Sequence, residues 1–301
     1  IDIHLTDWEK AKDFFEEERK RKSSDINVLA AYTNSFPLDP EDSYITTEVN
    51  KFPGMECKSR KRFIEDEGIV GEKYRLYKDS NGRIHANITT DPIVTDHPYK
   101  GGSFDAPVVM LENPLLDEIG VPPLGLYTLG FDDVKDDIAN SSSLISARIF
   151  KRGFEGGEWA NRFVAWYDSR PDRKQDYYKI LYLLVKIFNA RILAENADNG
   201  FLEWMETNHM DDVYVHFSTG VGLASEENLN RNNNKKFGWT PTSLNIYRLE
   251  QKLVMYTKSD NIIINGIEGL SGVDSINDTM LLEEMYKYKK DVNADRIRSG
   301  G

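Results

Sequence analysis

The chain has one cysteine, Cys57, so no internal disulfide can form, and a reducing compartment suits it. Histidine is also scarce. His4, His85, His97, His209 and His216 lie far apart, with no His-Glu-x-x-His and no Cys/His cluster, which argues against a zinc site. No apolar run reaches the length of about 18 residues that a membrane span needs. Ile1-Asp2-Ile3-His4 carries neither an initiator Met nor a signal-peptide pattern, and this start reads as a fragment of a longer protein. The sequence holds no Gly-x-x-x-x-Gly-Lys-Ser/Thr, so these residues include no P-loop. Internal repeats and low-complexity tracts are absent as well.

What is present is enough for a packed core: 301 residues, 40% hydrophobic and 11% aromatic. That length suggests about two domains. Fifty acidic residues against 38 basic ones give a net charge of −12, which argues against a simple nucleic-acid binder. Local basic runs could still meet phosphate, at Arg19 to Lys22, Lys58 to Arg62 and Arg231 to Lys236. Taken singly, each such run more often reads as solvated charge on a loop or helix face.

Periodicity predicts a helix over 6–22, with Thr6 and Glu9 as a capping box and Trp8, Ala11, Phe14 and Phe15 on one face. Asp39 and Pro40 make a second helix start. Residues 52–122 read as an extended connector with a small β element, Tyr74 to Tyr77 and Ile84 to Ile88, around the turn Asp79-Ser80-Asn81-Gly82. Leu126 to Asp132, Leu144 to Phe150 and Phe163 to Tyr167 predict a three-strand meander. Asp168-Ser169-Arg170-Pro171 then opens an amphipathic helix through Tyr177, Leu181, Leu184 and Phe188. Further strands are predicted at Arg191 to Glu195 and Val213 to Phe217, and helices at Gly200 to Glu206, Ser243 to Tyr256 and Asn277 to Lys289. The order βββ-α-β-α-β-α-α implies a mixed sheet flanked by helices, the α/β arrangement of a ribonuclease H-like, five-stranded sheet.

Three acids occupy telling places in that order. Asp132 and Glu195 each end a strand behind an apolar run, and Asp278 opens the last helix. A carboxylate there is costly unless it is paired or binds metal. In a ribonuclease H-like sheet the first and fourth strands are neighbours, which would bring Asp132 and Glu195 together. Three carboxylates suit Mg²⁺ or Mn²⁺, and two such ions can activate water against a phosphodiester. The plainer alternative stays open: Asp132 and Asp133 as turn residues, Asp278 as a first-turn acid favoured by the helix dipole. Asp136 and Asp137 read as outer ligands or, more simply, as loop solvation.

The chain resembles the C-terminal nuclease domain of the large terminase subunit of tailed double-stranded DNA phages. Several stretches carry the likeness. They are Pro37-Leu38-Asp39-Pro40-Glu41-Asp42-Ser43-Tyr44, the strand end Gly130-Phe131-Asp132, Glu195-Asn196 with Gly200, Lys236-Phe237-Gly238-Trp239-Thr240, and Asn277-Asp278 where the family has an Asp-Asp pair. The likeness runs from about residue 36 to 290. It implies an N-terminal linker over 1–51, a connector over 52–122 and a nuclease domain over 123–295. It further implies catalysis by Asp132, Glu195 and Asp278 on two Mg²⁺ or Mn²⁺ ions, with Asp133, Asp137 and Asp274 as possible auxiliaries. The implied substrate is concatemeric double-stranded DNA, the implied partners are the portal and the small terminase subunit, and the implied setting is the host cytoplasm. Arg231, Lys235 and Lys236, set among four asparagines, are the predicted phosphate contacts. A branched-DNA resolvase or transposase-like nuclease of the same fold, and a non-catalytic docking module of a packaging motor, are the alternative readings.

Overall fold

Every residue of the strand Arg162–Ser169 is buried, and all but one of Ile145–Lys151. Strands covered on both faces lie in the middle of a sheet. In a computed structural model of the chain, residues 8–22, 26–38, 50–97, 99–133, 144–153, 161–194, 200–210, 212–213, 238–239, 242–259, 262–264, 267–288 and 297 are described. In chain order the elements begin with α1 (Trp8–Lys22), α2 (Ile26–Ser35) and α3 (Gly54–Glu67). Then come β1 (Glu72–Lys78), β2 (Ile84–Ile88), β3 (Val108–Met110), β4 (Tyr127–Asp132), β5 (Ile145–Lys151) and β6 (Arg162–Ser169). They continue with α4 (Lys174–Phe188), β7 (Arg191–Ala194), α5 (Gly200–Thr207) and α6 (Ser243–Thr257). The chain closes with β8 (Ile262–Ile264), β9 (Ile267–Leu270), a 3₁₀ turn (Val273–Ser275) and α7 (Thr279–Tyr286).

The fold is α/β. Among the described residues the main sheet has seven strands in the order β2-β1-β3-β6-β5-β4-β7, and β8 with β9 forms a separate pair. All neighbours in the main sheet are antiparallel except β4 and β7, which are parallel. Here the structure differs from the expected five strands. The segment 52–122 is more than a connector, because β3 pairs with β6 and so joins β1 and β2 to the same sheet. The β1–β2 turn is the predicted one: Asp79 Oδ1 accepts from the amides of Asn81 and Arg83, and Gly82 takes φ 81°.

α4 forms where its apolar residues recur at three- and four-residue spacing. Tyr177, Leu181, Leu184, Val185 and Phe188 are fully buried, and Asn189 ends the helix in the left-handed region at φ 46°. These side chains pack with Leu129, Phe131, Ile149 and Tyr167 on one sheet face, at roughly 1.5–3 kcal/mol per buried apolar side chain. The helix starts at Lys174 rather than at Asp168, because Asp168 and Ser169 still belong to β6. On the opposite face Phe163 and Phe150 meet Leu253 and Tyr256 of α6, Leu281 and Met285 of α7, and Cys57 and Ile64 of α3. Cys57 is fully enclosed there, and burial pushes its thiol well above the usual range. The structure thus makes it a core residue.

Candidate functional site

Cross-strand register builds the site. Asp132 of β4 stands opposite Ser146 of β5, which stands opposite Asp168 of β6. Directly paired residues project from the same face, so the three side chains form one transverse row. One step along, Gly130, Arg148 and Trp166 form the next row on that face. All four polar members, Asp132, Ser146, Arg148 and Asp168, are buried. Buried charge must be paired.

Arg148 organises the pairing. Its Nη2 donates to Asp168 Oδ2 at 3.0 Å and to Asp278 Oδ2 at 2.8 Å, and its Nε donates to Asp278 Oδ2 at 3.1 Å. Nη1 donates to Asp168 Oδ1 at 3.1 Å and also to Ser146 Oγ. Ser146 Oγ in turn donates to Asp168 Oδ1 at 2.6 Å. Burial disfavours the guanidinium charge, but Asp168 and Asp278 outweigh that and hold its pKa above the ordinary value.

Asp278 has a second employment as the N-cap of α7. Its Oδ1 accepts from the amides of Met280 and Leu281, both at 3.0 Å. The chain leading to it is pinned from two sides. Arg60 of α3 donates to Asn277 Oδ1 at 2.5 Å and to Ile276 O at 3.2 Å, and Arg162 of β6 donates to Ser275 O at 3.1 Å. Asn277 is therefore a buried acceptor for Arg60. Asp274 closes its own turn, accepting from the amide and hydroxyl of Ser271 at 2.9 Å each.

Asp133 faces the other side of the sheet and accepts a hydrogen bond from the Tyr178 hydroxyl of α4. Gly200 starts α5 against this pair: a Cβ there would stand 2.5 Å from Tyr178 Oη and 2.9 Å from Asp133 Oδ2. On the far side of β7, the Trp239 amide donates to Ala194 O at 2.8 Å, and the buried indole packs with Leu249 and Leu193.

Of the predicted site residues, the structure joins Asp278 to Arg148, Asp168 and Ser146 by hydrogen bonds and places Asp132 opposite Ser146 in the same buried row. Asp133 is turned away from it, and Asp274 is occupied in its turn. Glu195, Asp137, Arg231, Lys235 and Lys236 lie outside the described residues, as does most of the predicted strand at Val213 to Phe217. Among the described residues no three His, Cys, Asp or Glu side chains group as a metal set. The run Lys58 to Arg62 is largely structural. Lys58 is buried, Arg60 holds Asn277, and Lys61 bridges Glu65 and Glu283 at 2.9 and 3.4 Å. Sequence reasoning missed Ser146, Arg148 and Asp168. Their signal was there: polar residues at alternate positions of otherwise apolar strands, pointing to a buried polar row.

Among the described residues no helix is long and apolar enough to cross a membrane. Comparison with models of known protein families, with curated proteins and with solved structures finds no match to this chain.

Proposed function

We propose that the chain is a divalent-metal-dependent DNA endonuclease with a ribonuclease H-like core, akin to the nuclease domain of phage large terminase subunits. One observation carries the reading. Within the order β6-β5-β4-β7, a three-strand meander is followed by α4 and by a strand that returns parallel to the first, with Ala194 opposite Phe131. Asp132 is the residue after Phe131, and the resemblance makes Glu195, the residue after Ala194 in the sequence and outside the described residues, its counterpart.

In this proposal Asp132 and Glu195 are the principal ligands, with Asp278 as the third acid. An all-carboxylate donor set suits Mg²⁺ or Mn²⁺ rather than a softer ion. Such ions, when bound, supply an activated water and charge stabilisation for phosphodiester hydrolysis. The protein's share is positional. Ser146 and Arg148 fix Asp168 in the row, and Arg148 with the α7 amides fixes the carboxylate plane of Asp278. The substrate is double-stranded DNA, with portal and small terminase subunit as partners and the host cytoplasm as the setting.

One observation favours a second reading, a non-catalytic docking module of a packaging motor. Both oxygens of Asp278 already serve Arg148 and the helix cap, as a purely structural acid would. Incubation with supercoiled and linear plasmid in Mn²⁺, with and without EDTA, separates the two. Nicking and linearisation that EDTA stops supports the nuclease. Intact plasmid throughout would leave the docking module, and a marked preference for four-way junctions would instead point to a resolvase.

A further inference from the structure

β2 (Ile84–Ile88) ends the seven-stranded sheet, and among the described residues no strand pairs with its outer side. Its inner side is fixed by β1. The Thr89 amide donates to Lys73 O and the Asp79 amide to Arg83 O, both at 2.9 Å. Between them Arg75 stands opposite Asn87 and Tyr77 opposite His85. Bonded and non-bonded pairs alternate in an antiparallel ladder, so Ile84, Ala86 and Ile88 turn their backbone N–H and C=O groups outward. Ala86, Asn87 and Ile88 are all exposed, Ile88 to 70%. Natural sheet edges are guarded by lysine, proline, a bulge or a covering element. Ile-His-Ala-Asn-Ile has no Lys, Arg, Asp, Glu or Pro, and its register with β1 runs without a bulge. Such an edge is a template for one more strand.

The strand is also its own complement. We propose that β2 is a docking edge for a second copy of this chain, which joins the two sheets edge to edge about a two-fold axis through Ala86. In that register Ile84 meets Ile88 and Ala86 meets Ala86, each pair exchanging its N–H···O bonds in both directions. The side chains match as well, Ile against Ile on one face and His85 against Asn87 on the other. No like charges oppose each other within the strand, although the whole chain carries −12. Beyond it, the exposed Arg83 falls diagonal to Asp91 of the second copy, and the two-fold repeats this opposite-charge pairing at the other end. The helix layer leaves room for the pairing. α4 packs with Tyr74 and Leu76 of β1 and leaves Ala86 and Ile88 uncovered. Its copy over the second β1 would stand three strand spacings away, about 14 Å, where packed helices need only about 8–10 Å.

Two five-residue strands bury less than the roughly 1,200 Å² of a standard interface, so the dimer is weak and concentration-dependent. Sedimentation velocity of the whole chain tests it, and monomer should give way to dimer between about 5 and 500 µM. Neither DNA nor metal enters the assay, so the result stands apart from the nuclease reading. I88K should weaken the dimer by about tenfold or more, because one substitution removes both Ile pairs and charges the edge. A86P removes an outward amide, spares the β1 ladder and should act likewise, with an unchanged circular dichroism spectrum. Cross-linking gives a second readout that does not depend on a disruptive change. Directly bonded residues have Cα atoms about 5.5 Å apart, within disulfide reach, and Cys57 is fully enclosed. Mild oxidation should convert A86C to a covalent dimer far faster than I119C, whose site is 83% exposed in the loop before β4. A chain still monomeric at about 500 µM would leave the edge to a strand of another protein and overturn the proposal. Dimers undiminished in folded I88K and A86P, or equal cross-linking of A86C and I119C, would overturn it too.

Discussion

Arg148 of β5 and Asp278 at the start of α7 are 130 residues apart in sequence, yet two guanidinium nitrogens donate to one carboxylate oxygen at 2.8 and 3.1 Å. Both side chains are essentially inaccessible to solvent. The pair ties the last helix to the middle of the sheet. Breaking a buried pair leaves an uncompensated charge, at a cost of about 3–5 kcal/mol. Arg148→Met should destabilise by that order in urea unfolding, since it strands Asp168 as well as Asp278. Combining it with Asp278→Asn should cost clearly less than the sum of the two single changes. Additive effects would mean that the two residues do not share one network.

Asp278 has two separable duties, and two substitutions divide them. Asp278→Asn keeps an oxygen for the α7 amides and removes the charge opposite Arg148. Asp278→Ala removes both, so it should be less stable than the Asn variant by about 1 kcal/mol, the usual worth of an N-cap. Loss of plasmid cleavage in a folded Asp278→Asn protein would mark it as the third acid of the centre. Full activity would assign it to scaffolding alone.

Gly272 passes so close to the backbone of Tyr256 and Thr257 that a Cβ would meet the Tyr256 carbonyl oxygen. Its own amide donates to Ser259 O at 3.0 Å. Neither neighbour is a flexible side-chain tip, so the clash cannot be relieved cheaply. Gly272→Ala should destabilise by about 2 kcal/mol or more, an overpacking cost. It should also loosen the turn that leads to Asp278. A thermal midpoint equal to that of the parent protein would contradict this close approach.

Glu283 of α7 joins Lys287 at 2.7 Å and, across to α3, Lys61 at 3.4 Å. Burial raises its pKa, but the hydrogen bonds and charges of Lys287 and Lys61 outweigh this and hold it below its ordinary value of 4.5. A carboxyl with a lowered folded pKa contributes stability above its unfolded pKa. That contribution fades as pH falls from about 4.5 through the folded value. Glu283→Gln should therefore be less stable than the parent by about 1 kcal/mol at pH 7, the scale of a partly screened pair. The difference should close below pH 4.5. Parallel stability curves across that range would refute the linkage.

Much of the architecture was legible in the sequence because periodicity survives without context. Trp8–Lys22, Gly200–Thr207 and Ser243–Thr257 form helices where apolar spacing placed them, and the three-strand meander is there. α2 and α3 were not legible. α3 has Pro53 at its N-cap with no side-chain cap bond, and its charged run Lys58 to Arg62 hides the buried Cys57 and Ile64. The joining of β1–β3 to the main sheet depends on the long-range pairing of Val109 with Trp166, which no local pattern encodes. At the site, the strand end at Asp132 and the helix start at Asp278 were readable. The bond network around them was not, since Arg148 of β5 reaches Asp168 of β6 and Asp278 of α7 only after these elements are packed together.

The central claim is that Asp132 belongs to a metal-dependent nuclease centre. Its most direct test is plasmid cleavage in Mn²⁺ by the parent chain and by Asp132→Asn, assayed side by side with matched circular dichroism. Asp132→Asn nearly preserves side-chain volume and removes the charge that would hold the ion. The account predicts EDTA-sensitive cleavage by the parent and a loss of about a hundredfold or more in the variant, on the scale of removing a key charge-stabilising group. Equal cleavage by the folded variant, or cleavage by the parent that survives EDTA, would contradict it.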